Sequence, residues 1–422
     1  MSETPEAFAS QKPLSRFFII FAGQSFSLFG SQIVQFALVW WLTKTSGSAS
    51  VLAFASIMAI LPQVFLGPFA GALVDRWNRR LVMIVADGLI ALAVVVLAVL
   101  YALNAVQIWH IYALTLARAV GGAFHWPAML ASTTMMVPKN HLSRVAGLNQ
   151  SLQGLSNIAA PPIGALLIEV LPMQSILAID VGTAMLAIGP LLFLDVPQPC
   201  REVTGESRPS VLGDLREGMR YMWRWRGGLF LPVAAMIINL LATPASVLTP
   251  LLVTRHFNGG VLEFALLQST FGVGMVFGGL MLGVWGGFKR RIVTAMVGLI
   301  ISGFSDIVTG LVPQDAFLVA LGARFVSAFM MPIVNGSAFA LMQTIVPAGM
   351  QGRVFTLVAS GSSAMSPLGL AIAGPVADAV GIQIWFIIGG AAMSAMGTVA
   401  FFVPSIMEIE SKIAEASTSN KK

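Results

Sequence analysis

Five ionisable side chains stand well inside apolar stretches of this sequence: Asp87, Arg118, Asp180, Asp306 and Arg324. A charge in such a setting is costly, so each must be paired or put to use in handling ions or protons. His125 lies seven residues beyond Arg118 and offers either a second proton acceptor or an ordinary hydrogen-bonded imidazole. Uncharged polar stripes accompany them. Gln24, Ser31 and Gln35 recur at i, i+7 and i+11, within about 20° of one helical face. Gln150, Gln153 and Asn157 recur at i, i+3 and i+7, and Pro161 continues their face. Amides turned toward hydrocarbon would be expensive, so both stripes should face protein or water. They read as contacts for a bound solute or as helix-packing hydrogen bonds. Asn239, Gln268 and Asn335 are weaker candidates of the same kind in the second half.

Other chemistry finds no support. The chain has no H-E-x-x-H, G-x-S-x-G or Walker glycine–lysine motif, so no hydrolase or ATPase signature is present. Its one cysteine, Cys200, excludes an intramolecular disulfide framework and any multi-cysteine metal site. The expectation is a protein that is not an enzyme and uses no metal or cofactor.

The elements that position these residues must be membrane helices. Of 422 residues 57% are hydrophobic and only 10% are charged, whereas soluble domains carry roughly 25% charged residues. A bilayer core needs roughly 20 apolar residues per helix. That ruler predicts spans near 16–43, 50–73, 81–103, 107–136, 145–170 and 174–195, a polar break, then 229–253, 262–285, 291–312, 316–345, 353–378 and 382–404. The predicted class is an all-α integral membrane protein with twelve transmembrane helices in two six-helix bundles. Its predicted parts are a tail over 1–15, bundles over 16–195 and 229–404, a linker over 196–228 and a second tail over 405–422. The polar N-terminus and the length of the first apolar stretch argue against a cleaved signal peptide.

Charge placement sets the orientation. With both termini in the cytoplasm, the inner segments hold all but four of the 24 Lys and Arg residues; Lys44 and Arg255 fall outside, and Arg118 and Arg324 lie within spans. This bias also accounts for the net charge of +6 without nucleic acid. The stretch GALVDRWNRR, 71–80, is then the inner turn between helices 2 and 3, with Arg76, Arg79 and Arg80 as topological anchors. Asp75 is left unexplained by that reading, because acids contribute little to orientation.

The two halves are a repeat. VPKNHLSRV at Val137 aligns with VPAGMQGRV at Val346, offset 209; WNRRLV at Trp77 with FKRRIV at Phe288, offset 211; LARAV at Leu116 with GARFV at Gly322, offset 206. Parallel six-helix repeats joined by an inner linker are the layout of a rocking carrier. Here the chain resembles the major facilitator superfamily. Gly71 to Arg80 is similar to its loop 2–3 signature, with Asn78 where glycine is usual. Arg118 followed by Gly122 is similar to its helix 4 signature, and Ala160-Pro161-Pro162-Ile163-Gly164-Ala165 to a degraded form of the helix 5 motif of proton-coupled exporters. AGQSFSLFGSQIVQFALVWWLTKTSGSASVL at 22–52, GAFHWPA at 122–128 and LNQSLQGLSNIAAPPIGALL at 148–167 resemble the macrolide-efflux branch of the drug:proton antiporters.

The resemblance implies export of amphipathic, macrolide-type molecules by proton-coupled alternating access in the inner membrane, as a monomer, with a siderophore or lipid-like metabolite as the other cargo class. It implies that Asp75 docks on the start of helix 11 as a conformational latch, that Arg118 serves either proton coupling or structural pairing, and that Asp180 and Asp306, on helices outside the central cavity, serve packing. Asp87, seven residues beyond Arg80, would reach the inner interface. Small residues Gly67, Gly71, Gly274, Gly278, Gly279 and Gly283 predict close helix approach. In the linker, SVLGDLREGMRYMWRWRG at 210–227 reads as an amphipathic helix on the inner membrane surface.

Overall fold

Long apolar runs broken by short polar turns leave the backbone no option in lipid but helix, which satisfies every interior amide within one segment. The computed structural model describes residues 12–74, 76–198, 219–220, 229–408 and 410. Among them are twelve long helices: α1 (Lys12–Ser46), α2 (Ala49–Val74), α3 (Arg79–Ala102), α4 (Ile108–Met136), α5 (Leu142–Val170), α6 (Met173–Phe193), α7 (Phe230–Val247), α8 (Val261–Trp285), α9 (Arg291–Leu311), α10 (Phe317–Ile345), α11 (Ala348–Val380) and α12 (Gln383–Phe402). A short turn and a π-helical turn over Leu252–His256 extend α7. Ten of the twelve are long and apolar enough to cross a bilayer by composition. The two that fall short are α4 and α5, which carry Arg118, His125 and the Gln150–Asn157 stripe. Asp75 and the predicted linker helix lie outside the described residues, apart from Met219 and Arg220.

The chain divides into two compact units, 1–41 with 58–203, and 42–57 with 204–422. In the first, α3 packs against α4 and α6; in the second, α9 packs against α10 and α12, which is the same arrangement one repeat later. The cores match as well. Val137 and Val145 join the first unit's cluster with Phe17, Met83 and Leu191, while Val346 and Val354 join the second's with Met296 and Leu341. The valines of the repeated Val-Pro…Arg-Val segments are thus core residues at the approach to the fifth helix of each unit.

The basic turn does more than mark a side of the membrane. Asn78 accepts from the Leu81 amide (3.2 Å) and caps α3. Arg79 is buried and donates to the Ala131 carbonyl (3.1 Å) and the Met135 sulfur (3.0 Å) on α4. Arg80 donates to the carbonyls of Leu191 and Leu192 at the end of α6 and pairs with Asp195 at 2.9 Å. A cation at a helix C-terminus offsets its exposed carbonyl dipoles. Arg76 stays exposed. In the second unit Arg291, which aligns with Arg80, instead donates to the Ala340 carbonyl (3.0 Å) and the Thr344 hydroxyl (2.8 Å) on α10, as Arg79 does to α4.

Candidate functional site

Gln24, Ser31, Asp87, Arg118, His125 and Asp180 of the first unit converge on one cavity of about 190 Å³, walled by α1, α3, α4 and α6. Helical periodicity places the donors. Gln24 and Ser31 share a face of α1; Arg118, Gly122 and His125, at i, i+4 and i+7, share a face of α4. Close helix approach closes the ring. A Cβ added to Gly23 would run into the Leu186 carbonyl, and one on Gly30 into Thr183, so α1 lies almost directly on α6.

Two carboxylates project into this cavity with different company. Asp180 on α6 accepts from the Arg118 guanidinium (3.2 Å) and from the Ser31 hydroxyl (2.9 Å), and Arg118 also donates to the Ser31 carbonyl (3.1 Å). Both Arg118 and Asp180 are largely shielded, with side chains 14% and 3% exposed. Asp87 on α3 accepts from the Gln24 amide at 3.0 Å, and the His125 Nε2 lies 3.4 Å from its other oxygen. Among the described residues that Nε2 has no hydrogen-bond partner. Asp87 is therefore buried in the bundle, and Asp180 lines the same polar cavity.

A second cavity of about 350 Å³ also borders Arg118, with Gln35, Gln63, Thr115 and Trp126 in its wall. Arg118 and Gly122 border both cavities. A Cβ on Gly122 would meet nothing within 4 Å, so its hydrogen leaves open space where a side chain would intrude. Gln63, on α2, is a polar residue that periodicity along α1 and α5 did not single out.

The remaining candidates are scattered. Gln150, Gln153 and Asn157 are exposed on α5, while the far end of their face, Pro161 and Gly164, is buried, with Gly164 against Phe36 of α1. In the second unit Asn239 donates to the Ala235 carbonyl (2.9 Å) and accepts from Ser366 (3.4 Å); Gln268 is half-buried and Asn335 exposed. Arg324 is buried with Asp306 at 3.5 Å and with the rings of Phe271 and Phe386 at 4.9 and 5.9 Å from its guanidinium carbon. Of the six predicted contact glycines, Gly274 and Gly278 press on the α10 backbone at Phe325 and Phe329, whereas Gly67, Gly71, Gly279 and Gly283 have open space above them. Among the described residues no cluster of three or more His, Cys, Asp or Glu could hold a metal.

A helical, multi-pass membrane protein in two repeated six-helix units, with a charged polar cavity inside one of them, defines a solute transporter rather than an enzyme. The model of the transmembrane secretion effector family, MFS_3, matches residues 9–421, and the chain belongs to this family of the major facilitator superfamily. Macrolide efflux protein A of Streptococcus pyogenes is 32% identical over 397 residues, covering 94% of this chain and 98% of that one. The multidrug efflux pump Tap of Mycolicibacterium fortuitum is 30% identical over 402 residues, covering 90% and 94%. Among solved structures, a bacterial homolog of the human lysosomal transporter Spinster, inward-facing and unoccupied, superposes with a TM-score of 0.69 at 14% identity over 96% of this chain and 99% of that one. A bacterial homologue of the iron transporter ferroportin gives 0.66 at 15%, over 92% and 98%. These two likenesses concern the fold. The chain handles a small-molecule substrate in a membrane.

Proposed function

We propose that this protein exports amphipathic, macrolide-type molecules from the cytoplasm across the inner membrane, as a monomer, by alternating access driven by the proton gradient. The observation that carries the reading is kinship along almost the whole chain, 94% of it, with a protein named for macrolide efflux. The 350 Å³ cavity supports it, because it sets an aromatic ring and methyl groups (Trp126, Ala59, Ala119) beside two amides and a guanidinium (Gln35, Gln63, Arg118). Such mixed lining suits a bulky amphipathic solute. The exposed amides of α5 support a water-facing surface on that helix, since hydrocarbon would leave them unsatisfied. The positive-inside distribution supports cytoplasmic termini.

The deciding measurement is accumulation of a radiolabelled 14-membered macrolide in cells with and without the protein, repeated with a protonophore. Lower accumulation that the protonophore abolishes is expected. Unchanged accumulation with the protein present in the membrane would discard the macrolide assignment and turn the search to siderophores and lipid-like metabolites. Lower accumulation that resists the protonophore would discard proton coupling alone.

A further inference from the structure

We infer that the exchangeable proton of this transporter is held by the Asp87–His125 pair, and that Asp180, in the same cavity, keeps its charge throughout; this rests on the proton-coupled reading above. The inference follows from charge balance. Arginine does not give up its proton in a protein. Asp180, held by Arg118 at 3.2 Å and by Ser31 at 2.9 Å, therefore forms a neutral pair that needs no proton to balance it. Two of the Arg118 N–H groups are directed to Asp180 and to the Ser31 carbonyl.

Among the described residues Asp87 has no such permanent counter-ion. Its contacts are the Gln24 amide at 3.0 Å and the His125 Nε2 at 3.4 Å. The groups facing it can be counted by element: α1 brings Gln24, Ser27 and Ser31, none of them charged; α4 brings Arg118 and His125; α6 brings Asp180. Leaving an unpaired carboxylate in a shielded site is strongly unfavourable. One proton shared by Asp87 and His125 makes their pair neutral, whichever of the two carries it. Passing that proton to water leaves Asp87 ionised beside a neutral imidazole, a net charge of −1. Binding one from water restores neutrality, so the cycle moves one proton and leaves no other chemistry to balance.

The placement also supplies a link to cargo. Arg118 and Gly122, which wall the proton cavity, wall the larger cavity as well. A solute entering the larger space meets the arginine that fixes Asp180, and any shift of α4 carries His125 relative to Asp87 because Arg118 and His125 ride the same face of α4.

The test is a pH-difference infrared spectrum of the purified full chain in lipid nanodiscs, with no cargo added. The wild type should show a buried carboxyl or imidazole titration band that is lost in both Asp87→Asn and His125→Gln and retained in Asp180→Asn. A band that survives both Asp87→Asn and His125→Gln, one lost only in Asp180→Asn, or no such band in the wild type would each overturn the assignment. Using two variants on different helices guards against one that fails to fold. In proteoliposomes, Asp87→Asn should lose gradient-driven uptake of erythromycin while keeping erythromycin counterflow, which moves no net proton. Asp87→Asn retaining gradient-driven uptake would overturn the inference. Protonophore-resistant export by the wild type would instead sink the coupled reading, while the spectrum still reported whether the pair titrates.

Discussion

At the scale of single residues, the two units solve the same problem with different partners. The repeat keeps an arginine at matching positions of α4 and α10, yet Arg118 draws its acid from α6 and Arg324 from α9. Removing one member of a shielded pair strands the other, at a cost of roughly 3–5 kcal/mol, while replacing both by apolar residues is often neutral or stabilising. Arg324→Met should therefore lower the thermal unfolding midpoint of the purified protein sharply, and Arg324→Met combined with Asp306→Leu should recover most of the loss. Export should survive in the double variant, because this pair is closed in by Phe271 and Phe386 and borders neither first-unit cavity. Arg118→Met combined with Asp180→Leu should likewise regain stability but stay inactive in export. Equal activity of the two double variants would refute the distinction drawn between a structural pair and a working one.

At the scale of elements, helix ends and helix crossings carry the specific contacts. Asp378, near the end of α11, receives the Ser48 hydroxyl (2.8 Å) and the amides of Ala49 (2.8 Å) and Ser50 (2.9 Å) at the start of α2, and Arg255 stands 3.8 Å away. These contacts fall within the second unit, to which residues 42–57 belong. A carboxylate on orphan amides at a helix N-terminus is worth about 0.5–2 kcal/mol. Asp378→Ala should lower the unfolding midpoint by a few degrees, which differential scanning fluorimetry would read; no shift would mean water replaces the cap at no cost. Glycine gives a sharper contrast on α8. A methyl on Gly278 would overlap the Phe329 carbonyl, and one on Gly279 would meet nothing. Gly278→Ala should force α8 and α10 apart and destabilise by about 1–3 kcal/mol, whereas Gly279→Ala should be neutral or slightly stabilising.

That pair also marks how much the sequence discloses. Helix number, turns and the repeat were legible because hydrocarbon imposes length and apolarity on every span, and Val137 and Val145 could be matched to Val346 and Val354 by offset alone. The shared face of Arg118, Gly122 and His125 was equally legible. Their partners were not. Asp180 lies 62 residues from Arg118, and Asp87 63 from Gln24, so no periodicity along one helix joins them. A stripe of glycines signals close approach only when another helix is there, which is why Gly278 packs and Gly279, one residue on, does not. Gly23 and Gly30, seven residues apart on α1, carry the signal that could have joined that helix to another.

At the scale of the whole molecule, the distribution of basic residues makes a claim about sidedness that can be checked without knowing the cargo. Lys289, Arg290 and Arg291 open α9 and are exposed, while the α3–α4 turn around Ala105 is exposed and carries no Lys or Arg. The cost of moving Lys and Arg across the membrane during insertion favours the first group inside and the second outside. Replacing the single native cysteine by Cys200→Ser gives a background in which one new thiol reports its own side. Ala105→Cys should react with a membrane-impermeant maleimide in intact cells. Lys289→Cys should react only after permeabilisation. The opposite pattern would invert the topology and, with it, the direction of transport proposed here. Removing one charge of three at that turn is too small a change to flip the chain by itself, because the Lys and Arg bias is spread over seven segments, from Lys12 and Arg16 to Lys421 and Lys422. Neutralising all three, Lys289 with Arg290 and Arg291, should still leave Ala105→Cys labelled from outside if Arg76, Arg79 and Arg80 anchor the first unit by themselves.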